Sequence, residues 1–204
     1  MRNLIYVPIV HTQADLGNLA EPVRDLSIQT LGLAKWKHNV TAIDRFWERL
    51  RQEIDTWDLP PGRVRLYQDG LPVCGGEARI VADLAQSGSP NHALLLHLME
   101  KGATLMGTES PQLLLEEYGL MQRILAASDP AEAAGIRERQ KTLSEDLLRR
   151  RDQFIASRIN ETLGLSETGI LFVGMLHGVE RWLEGDVQVS YPIGRPASTG
   201  FHGP

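Results

Sequence analysis

The chain is poor in the features that usually classify a protein quickly. It contains one cysteine, Cys74, which excludes an internal disulfide and fits a reducing compartment. No apolar run approaches the roughly 18–20 residues of a membrane-spanning helix. The first residues lack the charged start, apolar stretch and small-residue cleavage site of a secretory leader. The expectation is a cytoplasmic protein without a membrane span. Basic charge is in deficit too, with 21 Lys and Arg against 26 Asp and Glu for a net charge of −5, so there is no electrostatic footprint for nucleic acid. There is no repeat of solenoid length. A Walker loop, a G-x-G-x-x-G after a strand, an H-E-x-x-H and a G-x-S-x-G are all missing.

What is present is an ordinary globular composition, 42% hydrophobic and 23% charged over 204 residues, enough to bury one sizeable core. Residues 3–10 read as a buried strand, short, β-branched and nearly all apolar. Residues 22–33 read as a weak helix with Pro22 in its first turn. Residues 40–57 read as a stronger one, with Val40, Ile43, Phe46, Trp47, Leu50 and Ile54 at helical spacing. After Pro60-Pro61-Gly62 a strand covers 63–67 and stops at the turn signal Gln68-Asp69-Gly70. Helices are predicted over 76–86 and 91–101, a short strand over 103–106, and helices over 112–126 and 130–163, the last closed by Gly164. A strand at 170–173, a short helix at 178–184 and a strand at 187–191 complete the pattern. Strands alternating with helices predict an α/β fold. It is a single domain over residues 1–193, with a largely parallel or mixed sheet of about five strands flanked by helices. Residues 194–204, rich in Gly, Pro and Ser, read as a flexible tail.

Two apolar strands stop at histidines: Leu4-Ile5-Tyr6-Val7-Pro8-Ile9-Val10-His11 and Ile170-Leu171-Phe172-Val173-Gly174-Met175-Leu176-His177. Two other strands run into Asp69 and Glu109. In an open α/β sheet, ligands gather outside the carboxyl ends of the strands, so His11, Asp69, Glu109 and His177 point to one shared edge. Imidazole moves protons or binds metal near neutral pH, and carboxylates orient it or complete a metal shell. Taken one at a time, each has a plainer use. Either histidine could be a turn residue, Asp69-Gly70 is a turn signal, and Glu109 before Pro111 could favour a helix start through the dipole.

Arg151 adds a sharper signal. On a helical wheel with Leu147 at 0°, Leu143, Phe154, Ile155, Leu148 and Ile159 span an arc centred near about 40°, and Arg151 lies there. A guanidinium in the middle of a core-facing stripe must meet carboxylates or an anion, unless it snorkels past a thin core. His38, His92 and His97 fall in helical segments and read as surface or core residues, and His202 lies in the tail. Cys74, in Val73-Cys74-Gly75-Gly76, has no histidine near it in sequence. The run Arg137-Glu138-Arg139-Gln140-Lys141 reads as a solvated helix face.

This constellation resembles the superfamily that includes TraB, ChaN, the TIKI metalloproteases and the erythromycin esterases. Gly174-Met175-Leu176-His177 is similar to its second G-x-x-H motif. Pro8-Ile9-Val10-His11 stands at the first, with proline in place of glycine. Arg151-Asp152-Gln153-Phe154-Ile155-Ala156 resembles its R-[ND]-x-x-M-A helix, with Ile155 for methionine, and Glu109 resembles its glutamate. The resemblance spans roughly residues 3–191.

It implies a hydrolase acting on an ester or a peptide or amide bond, with His11, Glu109, Arg151 and His177 as catalytic residues. In that reading His11 is the general base, and Arg151 binds a substrate carboxylate or an oxyanion. A divalent metal (Mn, Co, Fe or Zn) on His11, Asp69, Glu109 and His177 is compatible with the residue types, and so is a metal-free base. The other expectations are a non-catalytic pocket for a haem-like or anionic small ligand, and a partner-binding or homo-oligomeric subunit anchored by Trp47, Trp57 and Trp182. The partner of the leading reading is a small-molecule or peptide substrate.

Overall fold

The computed structural model describes residues 1–194. The strands Arg2–Ile9 (β1), Val64–Gln68 (β2), Thr104–Met106 (β3), Thr168–Gly174 (β4) and Val187–Ser190 (β5) form one sheet in the order β3-β2-β4-β1-β5. Every strand pairing among the described residues is parallel. Among the described residues the six helices are Ala20–Leu31 (α1), Leu33–Asp55 (α2), Glu77–Gln86 (α3), Pro90–Glu100 (α4), Pro111–Leu125 (α5) and Pro130–Thr162 (α6), with 3-10 turns at Gln13–Leu19 and Val179–Trp182. The α/β expectation holds, with no antiparallel strand in the described sheet. No helix among the described residues is long and apolar enough to cross a membrane.

Burial on both faces explains why the strands read as continuous apolar runs rather than alternating ones. Val7 and Ile9 of β1 face Trp47, Leu50 and Ile54 of α2 and Leu94, Leu95 and Leu98 of α4. Leu4 and Tyr6 face Ile155, Ala156 and Ile159 of α6. Trp47 is buried and Trp57 packs against the same cluster, so both are spent on the core, while Trp182 is exposed. Three helices open with a capping side chain and a proline: Ser89-Pro90, Ser110-Pro111 and Asp129-Pro130. The cap accepts orphan N–H groups, and proline at the first position loses a donor the helix does not use.

Some boundaries differ from the sequence reading. A 3-10 turn precedes α1, which starts at Ala20. The second helix starts at Leu33 rather than 40, because Gly32 at φ 84° breaks the chain between α1 and α2. Gly164 does not close α6 in a left-handed conformation. Leu163 takes the cap position with extended backbone, and the Gly164 N–H donates to Glu167 Oε2 at 2.7 Å. Pro8 sits inside β1 without disrupting it. The neighbouring β5 pairs only with Arg2–Ile5, so one side of β1 is free of a ladder beyond Ile5, where a missing N–H is tolerated. The tail assigned to 194–204, with His202, lies outside the described residues from residue 195 onward.

Parallel pairing brings all carboxyl ends to one edge, and register aligns them. Ile9 pairs with Gly174 and Gln68 with Phe172, so β1, β2 and β4 end almost level. The packing between them is tight at Gly169, where a Cβ would stand 2.8 Å from Leu4 Cδ1 and 3.3 Å from both Leu163 Cδ2 and Tyr67 Cε2. Gly169→Ala is expected to destabilise the fold by about 1–3 kcal/mol through overpacking, read as a lowered denaturant midpoint at unchanged m-value.

Candidate functional site

The site forms just past the level ends of β1, β2 and β4. His11 follows β1 by two residues, Asp69 follows β2 directly, Glu109 follows β3 by three, and His177 follows β4 by three. Arg151 comes in from α6, which crosses one face of the sheet, and is buried as its place in the apolar stripe requires. The structure therefore brings all five sequence candidates to one place.

Arg151 is the hub. Its Nη2 donates to Asp69 Oδ1 at 2.7 Å and to Glu109 Oε1 at 2.5 Å. Its Nε donates to Glu109 Oε2 at 3.1 Å, and its Nη1 to Glu117 Oε1 on α5 at 2.5 Å. Four of the five guanidinium N–H groups are thus committed to carboxylates, so the guanidinium holds the site's own acids in place. Next to it, Arg150 pairs with Glu116 at 2.8 Å, so two adjacent Arg–Glu pairs join α5 to α6.

Asp69 is the junction between the histidines. Its Oδ2 accepts the Gly174 N–H at 2.9 Å and lies 3.2 Å from His11 Nε2 and 3.5 Å from His177 Nε2. The two imidazole nitrogens are therefore no further apart than 3.2 plus 3.5 Å. Gly174 makes this approach possible. A Cβ there would stand 3.1 Å from Asp69 Oδ2, 3.6 Å from His177 Cδ2 and 3.8 Å from His11 Nε2. The glycine of G-x-x-H is thus a matter of space, not of backbone conformation.

The two histidines differ. The His177 side chain is 5% exposed and that of His11 39%. His177 Nδ1 meets Asp152 Oδ1 at 2.6 Å, and the other Asp152 oxygen accepts the Gly178 N–H at 2.9 Å. The carboxylate fixes the Nδ1–H tautomer and aims Nε2 at Asp69. Asp152 and Glu117 were missing from the sequence-derived site. Asp152 could have been found, because it lies at about 140° on the wheel, close to buried Ile159 at about 120°. Glu117, on a polar face of α5, carries no comparable signal.

Charge follows from this geometry. Burial by itself would raise the Asp69 pKa, but His177, His11 and Arg151 outweigh it and hold the carboxyl well below its usual range. Burial dominates at Glu109 and pushes its carboxyl up despite Arg151. Burial disfavours the charged form of His177, yet Asp69 and the Asp152 hydrogen bond overcome it and raise the pKa above the ordinary value. At His11, too, burial is overcome by Asp69 and by the more distant Asp15, and the pKa is raised.

Four carboxylates (Asp69, Glu109, Glu117 and Asp152) surround one guanidinium and two imidazoles. Even with both imidazoles protonated, negative charge is in excess. The site suits a cation and disfavours an anionic ligand. Asp69, Glu109 and His177, all buried, offer donor atoms within 4.8 Å of one another. His11 lies outside that group and joins it through Asp69.

Two other described histidines lie elsewhere. His97 pairs with exposed Asp55 at 2.8 Å. His92 is buried in a cluster with Ser89 and Asp15. Cys74 is exposed, and its Sγ accepts the Gly76 N–H at 3.4 Å.

Arg151→Met should lower stability by about 3–5 kcal/mol at neutral pH, because it leaves buried carboxylates without their cation. The deficit should shrink in acid, where Glu109 and then Asp69 take up protons and the unpaired charges vanish. Denaturant titrations of both proteins at several pH values measure it.

No family model, curated protein or solved structure matches this chain in the comparisons made with each.

Proposed function

We propose that the carboxyl-edge cluster is a hydrolytic centre for an ester or amide bond, with Asp69, Glu109 and His177 holding one divalent cation and His11 acting as general base. One observation carries this reading. The Nδ1–H of His177 is spent on Asp152 at 2.6 Å, so its Nε2 lone pair faces the Asp69 carboxylate at 3.5 Å, beside Glu109. Three donor atoms within 4.8 Å of one another favour a positive charge between them, either a proton or a metal ion. One imidazole and two carboxylates suit Mn, Fe, Co or Zn. When bound, such an ion supplies Lewis acidity and brings a water pKa toward neutrality.

The chain's own residues do the rest. His11 reaches the open side of the cluster, where a substrate carbonyl and an attacking water can approach. Its Nε2–H donates to Asp69, so the ring's other nitrogen, Nδ1, accepts the water's proton, and Asp69 steadies the imidazolium that results. Arg151 holds the oxygens of Asp69 and Glu109 in place without touching the substrate. Asp152 keeps the His177 ring and tautomer fixed. The motif resemblance to the TraB, ChaN, TIKI and erythromycin esterase superfamily supports placing the site at His177, Glu109 and Arg151.

Protein purified without chelators should carry or take up one divalent ion per chain, measured by elemental analysis and Co²⁺ titration. His177→Ala should abolish the tight site, and Asp152→Asn should weaken it by about 10–100-fold. His11→Ala should keep the metal and lose about 10²–10⁴-fold in hydrolysis of an activated ester. No metal uptake together with no hydrolysis under added Mn²⁺, Co²⁺, Fe²⁺ or Zn²⁺ would defeat the reading. So would full rates in both His11→Ala and His177→Ala.

A further inference from the structure

A second buried polar cluster lies beside the first, and the hydrolytic reading leaves it unused. Thr12 and Asp15 form a capping box at the start of the 3-10 turn. Asp15 Oδ2 accepts the Thr12 N–H at 2.6 Å and the Thr12 hydroxyl at 2.9 Å. Such boxes usually sit at the surface, but the Asp15 side chain is 3% exposed. Its other oxygen accepts the Ser89 hydroxyl at 2.5 Å and lies 3.2 Å from His92 Nδ1. Ser89 in turn caps α4 by accepting the His92 N–H at 3.1 Å.

The composition Ser, His, Asp suggests a nucleophilic triad, but the geometry does not allow one. A single ring nitrogen, His92 Nδ1, faces both Ser89 Oγ at 2.7 Å and Asp15 at 3.2 Å. The Ser89 proton is committed to Asp15, and Ser89 is fully buried. No substrate can reach it. The cluster is a clamp. Four donor groups converge on one carboxylate, and they hold its pKa below the ordinary value against burial, which would raise it.

What the clamp holds is the residue next to His11. On the amino side, the Val10 carbonyl accepts the Trp47 Nε1–H of α2 at 3.1 Å. On the carboxyl side, Thr12 is tied through Asp15 to α4. The His11 side chain makes one hydrogen bond, to Asp69 at 3.2 Å, and is part exposed. A half-open imidazole with one long bond takes its aim from its backbone. We propose that Asp15 is the positioning residue for His11, acting through Thr12 and anchored by Ser89 and His92. The inference rests on His11 being the base of the proposed reaction.

This assignment separates two properties of the site. Asp69, Glu109 and His177 stand on β2, β3, β4 and the loops after them, with none on the segment from 12 to 19. Loss of the clamp should move His11 and leave the ion-holding group in place. In the full chain, Asp15→Ala should bind Co²⁺ within about threefold of the parent, while kcat for p-nitrophenyl acetate falls by about 10–100-fold at unchanged KM, the cost of misplacing a catalytic group. Asp15→Asn keeps a carbonyl oxygen for Thr12 and should recover most of the rate. The His11 Hε1–Cε1 cross-peak, assigned with His11→Gln, should shift or split in Asp15→Ala and stay near its parent position in Asp15→Asn.

If Asp15→Ala does not fold, Ser89→Ala removes one anchor of the carboxylate and should show the same changes in smaller measure. An unchanged kcat and an unchanged His11 cross-peak in the alanine variant overturn the proposal, whatever its melting temperature. If the parent protein neither binds Co²⁺ nor hydrolyses the ester, the functional reading fails, and the cross-peak alone decides whether Asp15 positions His11.

Discussion

Arg151 is a full positive charge held almost wholly out of water, and the site is arranged around the need to neutralise it. A lone guanidinium in that place would cost several kcal/mol. Asp69, Glu109 and Glu117 remove that cost, and their directions are then set by the fork of the guanidinium. Because Nη2 takes one oxygen of Asp69, the other oxygen is left to face the histidines and the Gly174 N–H. The arginine thus decides which atom of Asp69 is available for chemistry. It does so from α6, the helix that also supplies Asp152 to His177 one residue later.

The parallel sheet supplies the other half of the arrangement. Strands that run one way and end level place their following residues within a few ångströms of one another, although His11 and His177 stand near opposite ends of the chain. The central position of β4, between β1 and β2, lets the Gly174 backbone reach Asp69 while His177 turns back toward it. Small size at residue 174 is the condition for that approach. Proline at residue 8 is compatible with it, because β5 has ended before that level and no ladder bond is demanded there.

Charge balance narrows what such a site can do. A pocket for an anion would leave an arginine or a helix end free to receive it. Here Arg151 gives four of its five N–H groups to the site's own carboxylates, and the start of α4 is already filled by Asp15, which accepts from its cap Ser89. The surplus of carboxylates, the raised pKa of both histidines and the fixed tautomer of His177 all favour positive charge at the centre. His11 is half open beside buried Asp69, Glu109 and His177, which makes it the accessible one of the four strand-end residues.

Periodicity along the chain was enough to show the α/β pattern, the strand ends that carry His11, Asp69, Glu109 and His177, and the burial of Arg151. These features are local. An apolar run, a turn signal or a helical stripe is written in neighbouring residues, and burial follows from it. Partnership is not local. That Arg151 meets Asp69, Glu109 and Glu117, that Asp152 orients His177, and that Asp15 joins Ser89 and His92 depend on strand order, register and helix placement. Those contacts span 82, 42, 34, 25 and 74 residues. His92 read as a surface or core residue of a helix, and Glu117 carried no signal, because nothing within a turn or two of either shows its partner. The sequence by itself determined which charges had to be buried or brought to the sheet edge. Only the tertiary structure decided which charge answers which, because the cost of burying an ion is a property of the residue, whereas its compensation is a property of the three-dimensional neighbourhood.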